Sequence, residues 1–355
     1  FDESQKRGTQ SGKSGSNFLC LMSGAPIPFE YIRNEAKAGR MQSRMMAIVA
    51  ETNNGRIYIS PTPEMESAAK ISYSGDLPET ALPDKALGFR VQEYGMKKWR
   101  DLFTERQLTA LSTFKDLTNE VEELVEKDAI LSGMKVDKTP LNKGGSGAFA
   151  YAEAIKTYLA IGINRLADRS SSICSWDKGY TKIRNTFGRH ALPMTWDFAE
   201  ANVFSSSTGN YLSLLDWVIK FLLKVAETKE GFSLQSDAST QSISNEKIIS
   251  TDPPYYDNIG YADLSDFFYF WFRQSLQINF PQLFSTITVP KSNELVATPF
   301  RHGDKNNAET FFLEGMKEAM KKISSQSHPG FPITIYYAFK QSEKKTNEKG
   351  SASTG

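Results

Sequence analysis

Asp252-Pro253-Pro254-Tyr255 places a carboxylate, a stiff backbone and an aromatic ring in four consecutive residues. Each proline fixes its own φ near about −65° and pushes the residue before it out of the α region, so this loop is extended and pre-set. Asp252 offers a carboxylate and Pro253 a backbone carbonyl, and neither proline brings an N–H to compete for them. A planar exocyclic amine has two hydrogens to give. Holding both draws its nitrogen out of conjugation with the ring and aims the lone pair at an electrophile on the far side. Tyr255 adds a flat face, and stacking a base there is worth about 1–3 kcal/mol, enough to offset much of the cost of extruding a nucleotide from a duplex. Tyr256, Asp257 and Asn258 follow directly and are further candidates for the substrate pocket.

The flanking residues predict how this loop is held. Ile248 to Thr251 is a short apolar run that reads as a strand. Asp263 or Ser265 caps a following helix that carries aromatics at every position from Phe267 to Phe272. In open α/β sheets, ligands bind in the crevice beyond the carboxyl ends of strands, which is where Asp252 falls. Further on, Ala308 to Ser324 reads as a helix and Pro332 to Phe339 as a buried strand. Together with Ile248 to Thr251 these predict a parallel βαβ crossover. Between them, Val289 to Asp304 reads as a long loop in which Arg301 is a candidate phosphate contact.

At Asp252 to Tyr255 the chain resembles the amino-methylating DNA methyltransferases, whose D/N/S-P-P-Y/F/W motif holds the target amine. Other blocks are similar to the adenine-specific DNA methylases associated with a zinc-ribbon segment. They are Ser23-Gly24-Ala25-Pro26, Gly39-Arg40-Met41, Pro61-Thr62-Pro63, Trp196-Asp197-Phe198-Ala199-Glu200-Ala201-Asn202, Tyr255 to Phe268, and Ile335-Tyr336-Tyr337-Ala338-Phe339-Lys340. The resemblance implies an α/β chain with a partial Rossmann-like methyltransferase sheet, and methyl transfer from S-adenosylmethionine to adenine N6 in DNA. Asp252 and Pro253 would hold the amine, Pro254 would stiffen the loop and Tyr255 would stack on the flipped base. It also implies a place beside partner proteins of a modification or defence system. RNA, or the side-chain amide of a protein glutamine, presents the same planar amine and stays open as substrate.

The resembling family carries its glycine-rich cofactor turn ahead of the region represented here. Residues 1 to 245 contain no strand followed by such a turn, and the zinc-ribbon cysteines are absent as well. The expectation is a chain that holds the substrate half of the site and binds S-adenosylmethionine weakly or not at all. Its ends, Phe1 and Gly355, look cut from something longer. A rival reading comes from a different class of protein. Pro253-Pro254-Tyr255-Tyr256 satisfies the P-P-x-Y pattern that aromatic grooves take as a polyproline helix, which would make the chain a non-enzymatic scaffold. Full exposure of Tyr256 would favour docking, while a concave pocket containing Asp252 would favour catalysis.

Composition narrows the field. Lys plus Arg number 42 against 41 Asp plus Glu, so net charge announces no nucleic-acid partner and local patches must carry that case. The 2 cysteines and 3 histidines are scattered, which argues against a metal centre and against a Ser-His-Asp hydrolase. No run of about 18 apolar residues spans a membrane and no signal core opens the chain, so a soluble cytoplasmic protein is expected.

In chain order, residues 1–16 read as a disordered tail; Gly8 to Ser14 lacks the spacing and the preceding strand of a phosphate loop. Residues 17–63 read as a small α+β unit, with a hairpin turning at Thr52-Asn53-Asn54-Gly55. Within it Arg33, Lys37, Arg40 and Arg44 share one face if the segment is helical, either as a solvated face or as phosphate contacts that position DNA. Residues 64–244 read as mainly helical, with a helix capped at Thr104 whose stripe runs from Leu108 through Leu117 to Leu124 and Val125. Gly144 to Gly147 reads as a linker into the next helix, and Leu212 to Val225 as an amphipathic or buried one. Residues 245–340 form the catalytic α/β half, and residues 341–355 a second disordered tail.

Overall fold

The structure is a computed structural model that describes residues 10–11, 17–20, 22–84, 88–188, 190–225, 231–256 and 259–337. Among these the chain is mixed α/β, with eight helices and small sheets. It divides into two compact units: Phe1–Gly231 with Tyr261–Val289, and Phe232–Gly260 with Pro290–Gly355. The division does not fall at residue 245. The aromatic helix that follows the D-P-P-Y loop in sequence belongs to the first unit, and the loop itself to the second.

In the first unit, strands β1 (Gln10–Ser11), β2 (Asn17–Leu19) and β3 (Pro26–Pro28) form an antiparallel sheet, so part of the expected disordered tail is strand. The rest of residues 1–16, like residues 341–355, lies outside the described residues. Helix α1 (Phe29–Lys37) ends because Gly39 takes a φ of 72°, the left-handed conformation that glycine adopts without strain. The single face expected for Arg33, Lys37, Arg40 and Arg44 is thereby corrected, since Arg40 and Arg44 lie past the helix. Strands β4 (Ile48–Thr52) and β5 (Gly55–Ile59) form the expected hairpin with Thr52 opposite Gly55. The Thr52 hydroxyl accepts from the Asn54 amide, and the turn's positive φ, 106°, falls on Gly55.

Helix α2 (Pro63–Ala68) is short. Helix α3 (Glu105–Leu131) starts at Thr104 as expected, because the Thr104 hydroxyl accepts from the Gln107 amide while the Gln107 side chain accepts from the Thr104 amide. Its stripe holds at Leu108 and Leu111 but not at Leu117 and Leu124, which are exposed; Thr118 and Ala129 take the buried face further along. Helix α4 (Ala148–Ala167), the hairpin of β6 (Trp176–Asp177) and β7 (Lys182–Ile183), and helices α5 (Tyr211–Leu222) and α6 (Tyr261–Leu276) complete the unit. Helix α6 begins at Tyr261, so neither Asp263 nor Ser265 is its cap, and the Ser265 hydroxyl instead donates to the Tyr261 carbonyl. Its aromatic run packs as core: Phe267 stacks on Phe103 at 5.4 Å and 20°, and Trp271 meets Phe103 edge-on at 5.8 Å. With Trp99, Leu102, Leu108, Leu111, Ile163 and Leu166 they form one buried cluster. Burying each such side chain contributes about 1.5–3 kcal/mol, which is why α6 is fixed in this unit.

In the second unit, β8 (Ser250–Thr251) and β9 (Thr334–Ile335) pair in parallel, Ser250 beside Thr334 and Thr251 beside Ile335. The predicted parallel pairing is therefore present over these residues. Helix α7 (Pro299–His302) interrupts the expected loop, and α8 (Lys305–Gln326) begins at Asp304, whose side chain accepts from the Asn307 amide. The strand expected to be buried is not. Ile335 is 48% and Tyr336 62% exposed, because among the described residues no third strand or covering layer flanks this pair.

Candidate functional site

The end of β8 is fixed by its neighbour: the Thr334 amide donates to the Ile249 carbonyl at 3.0 Å and the Tyr336 amide to the Thr251 carbonyl at 2.8 Å. The next residue is Asp252, which is exposed, followed by buried Pro253, exposed Pro254 and half-buried Tyr255. The Tyr255 hydroxyl donates to Asp252 Oδ1 at 3.0 Å, and among the described residues no other donor reaches that carboxylate. Nor does any N–H or O–H among them reach the Pro253 carbonyl. The loop thus presents two oxygen acceptors from adjacent residues. Tyr255 is itself steadied by Tyr337, whose ring lies 5.5 Å away at 88°.

Tyr256 is built into the second unit. Its carbonyl accepts from the Ala297 amide at 2.7 Å, and its ring meets Phe312 at 5.3 Å and 90° beside buried Ala297 and Ala308. A peptide bound in a partner's groove would have to give up these contacts. Asp257 and Asn258 lie outside the described residues. Arg301 reaches Glu294 at 2.6 Å, with side chains only 12% and 15% exposed, and also donates to the Lys291 carbonyl at 3.4 Å. Its charge is matched within the unit, which weakens the expected phosphate contact.

The cations near α1 are similarly engaged. Arg33 pairs with Glu93 at 2.7 Å and lies over the Tyr94 ring; Arg44 pairs with Glu66 at 3.5 Å. Arg40 holds both oxygens of Glu35, at 2.6 and 2.7 Å, and this hydrogen bonding keeps the Glu35 carboxyl below its usual range. Lys37 makes no ion pair among the described residues. Exposed pairs such as these stabilise by only about 0–1 kcal/mol, but each places a carboxylate where a phosphate would have to come. In the Trp196 to Asn202 block, Glu200 is likewise taken up, accepting from Arg106 at 2.5 and 2.9 Å.

Strand β8 leads into Asp252-Pro253-Pro254 and β9 into Tyr336-Tyr337, so neither runs through a glycine turn into a helix. Gly144 to Gly147 does precede α4, yet a Cβ on Gly145 would fall within 1.9 Å of the Thr139 carbonyl oxygen and one on Gly147 within 2.8 Å of the Lys135 carbonyl oxygen. Those glycines admit the chain's own backbone, as helix entry requires. No group of three or more His, Cys, Asp or Glu among the described residues could hold a metal, and none of their helices is long and apolar enough to cross a membrane.

The contacts that complete the site had no signature in the sequence. Tyr337 against Tyr255 and Glu294 against Arg301 join residues tens of positions apart or across an irregular loop, where periodicity says nothing. No protein-family model, curated protein or solved structure matches this chain.

Proposed function

We propose that this chain carries the substrate half of an amino-methyltransferase acting on adenine N6 in DNA, with S-adenosylmethionine as donor. The observation that carries the reading is the pair of acceptors at the end of β8, the Asp252 carboxylate and the Pro253 carbonyl, held by a proline-stiffened loop and met by no donor but the Tyr255 hydroxyl among the described residues. An exocyclic amine gives one hydrogen to each. Its nitrogen is then pulled toward tetrahedral geometry, and Asp252 Oδ stands ready to hold the proton that the nitrogen must lose. The parallel β8–β9 pairing, with α8 between the strands in sequence, supports the reading of a partial Rossmann-like sheet. The donor supplies the methyl group; its binding residues are proposed to lie outside those described. The packing of half-buried Tyr256 against Phe312 favours this reading over a docking peptide.

The test is label transfer from S-adenosylmethionine to adenine-containing DNA, in an assembly that includes a donor site. Asp252→Ala removes an acceptor from an exposed position and no core contact, so labelling is expected to fall to background with folding intact. Near-normal labelling by the variant overturns the assignment.

A further inference from the structure

We propose that the turn between β6 and β7 in the first unit is a binding site for nucleic acid with unpaired bases. The inference stands on this unit alone and does not depend on the methyl-transfer reading. Residues 178–181 form the turn, since Asp177 lies opposite Lys182 in the register. Asp177 organises it from within: Oδ1 accepts from the Gly179 amide at 3.0 Å and the Tyr180 amide at 3.1 Å, while Oδ2 is held by Arg184 at 3.0 Å. What the turn displays is an aromatic ring among cations. Tyr180 is 76% exposed, exposed Lys178 precedes it, and the Lys182 ammonium lies 4.8 Å from its ring centroid.

The β4–β5 hairpin extends this surface. Arg56 donates to the Thr181 hydroxyl at 3.3 Å and to the Ser207 hydroxyl at 3.2 Å, and lies 6.0 Å from the Trp176 ring. Trp176 donates through Nε1 to the Tyr58 hydroxyl at 3.3 Å, and the two rings meet edge-on at 6.4 Å, with Tyr58 58% exposed. Of the carboxylates here, Asp177 is held by Arg184 and the turn amides, while Glu51, opposite Arg56 in the β4–β5 register, accepts from the same Ser207 hydroxyl that Arg56 donates to. Among the described residues Arg56 and Lys182 make no ion pair, Arg56 contacting hydroxyls and a ring and Lys182 a ring, whereas Arg33, Arg40 and Arg44 pair with carboxylates. Aromatic faces beside basic side chains are the means by which proteins hold single strands, the rings stacking on bases and the cations tracking phosphates. A duplex keeps its bases stacked on one another and offers no free base face to such a ring.

Fluorescence titration of the whole chain with a short oligothymidylate, and with a duplex of equal length, tests this. The single strand is expected to bind at least about tenfold more tightly than the duplex, and Tyr180→Ala to weaken it about tenfold. Tyr180 projects into solvent, so the variant is expected to keep its fold, which circular dichroism checks. Replacing Lys178 and Lys182 together with alanine should reduce the slope of log affinity against log salt by about 1.4. Equal affinity for duplex and single strand, or unchanged binding by Tyr180→Ala whatever the lysine variant does, overturns the proposal.

Discussion

Lys156 lies on α4 with its side chain 3% exposed, and its ammonium sits 2.6 Å from Glu122 on α3. Around this pair, Asn279 donates to Glu122 at 2.8 Å and to Glu153 at 3.0 Å, while the Leu141 amide donates to Glu153 at 2.5 Å. One cation therefore serves a buried site containing two carboxylates. Lys156→Met keeps the apolar stem but leaves Glu122 without its charge partner, and breaking such a pair from one side costs about 3–5 kcal/mol. For a unit of this size that is a fall in melting temperature of roughly 6–20 °C. Adding Glu122→Gln removes the stranded charge, and the new amide oxygen can still accept from Asn279. The double variant should regain more than half of the loss. Tryptophan fluorescence in a urea titration is the assay, because all 5 tryptophans (Trp99, Trp176, Trp196, Trp217 and Trp271) belong to the first unit and report its unfolding alone. A Lys156→Met variant within about 1 kcal/mol of the parent, or a double variant no better than the single, would refute the view that this pair fastens α3 to α4.

Two further outcomes follow from the same unit. Gly145→Ala should destabilise by about 1–3 kcal/mol or more, because its Cβ would meet the Thr139 carbonyl, whereas Gly144→Asn, at a φ of 79° with nothing within 4 Å, should cost less than about 1 kcal/mol; urea midpoints of the two variants decide, and equal costs would contradict the close approach. Burial pushes the Asp168 carboxyl up, against opposing hydrogen bonds from the Phe187 amide and Asn185. A raised carboxyl contributes stability that is present below its unfolded value and lost as pH rises through its folded value. Asp168→Asn keeps an acceptor for Phe187 and does not titrate, so its stability relative to the parent should rise as pH is raised above about 4. A difference that stays flat or falls as pH rises would contradict the stated cause.

Elements set by neighbours in sequence were legible. The Thr104 and Gln107 pair, the Asn-Gly hairpin and the parallel return to β9 all appear where the residues placed them, because capping and turn chemistry act within a few positions. Features decided by the rest of the fold were not. Helix α5 has the composition of a buried or amphipathic helix, yet Leu214 is its buried residue while Trp217 and Phe221 are 61% and 66% exposed. The cations around α1 form a stripe only if Gly39 is passed over, and their carboxylate partners Glu66 and Glu93 lie far along the chain. At the candidate site, the order of residues revealed the acceptor pair; the Tyr255 to Asp252 hydrogen bond and the packing of Tyr256 needed three dimensions.

The central claim is that Asp252 and Pro253 hold a planar amine through both of its hydrogens, and binding tests it without any methyl donor. The measurement is the affinity of the chain for a short oligonucleotide bearing one unpaired adenine, against the same strand bearing N6,N6-dimethyladenine, which has no N–H to give. Losing both hydrogen bonds should weaken binding at least about tenfold, and Asp252→Ala should erase most of that difference. Equal affinities for the two strands in the unaltered chain would contradict the account.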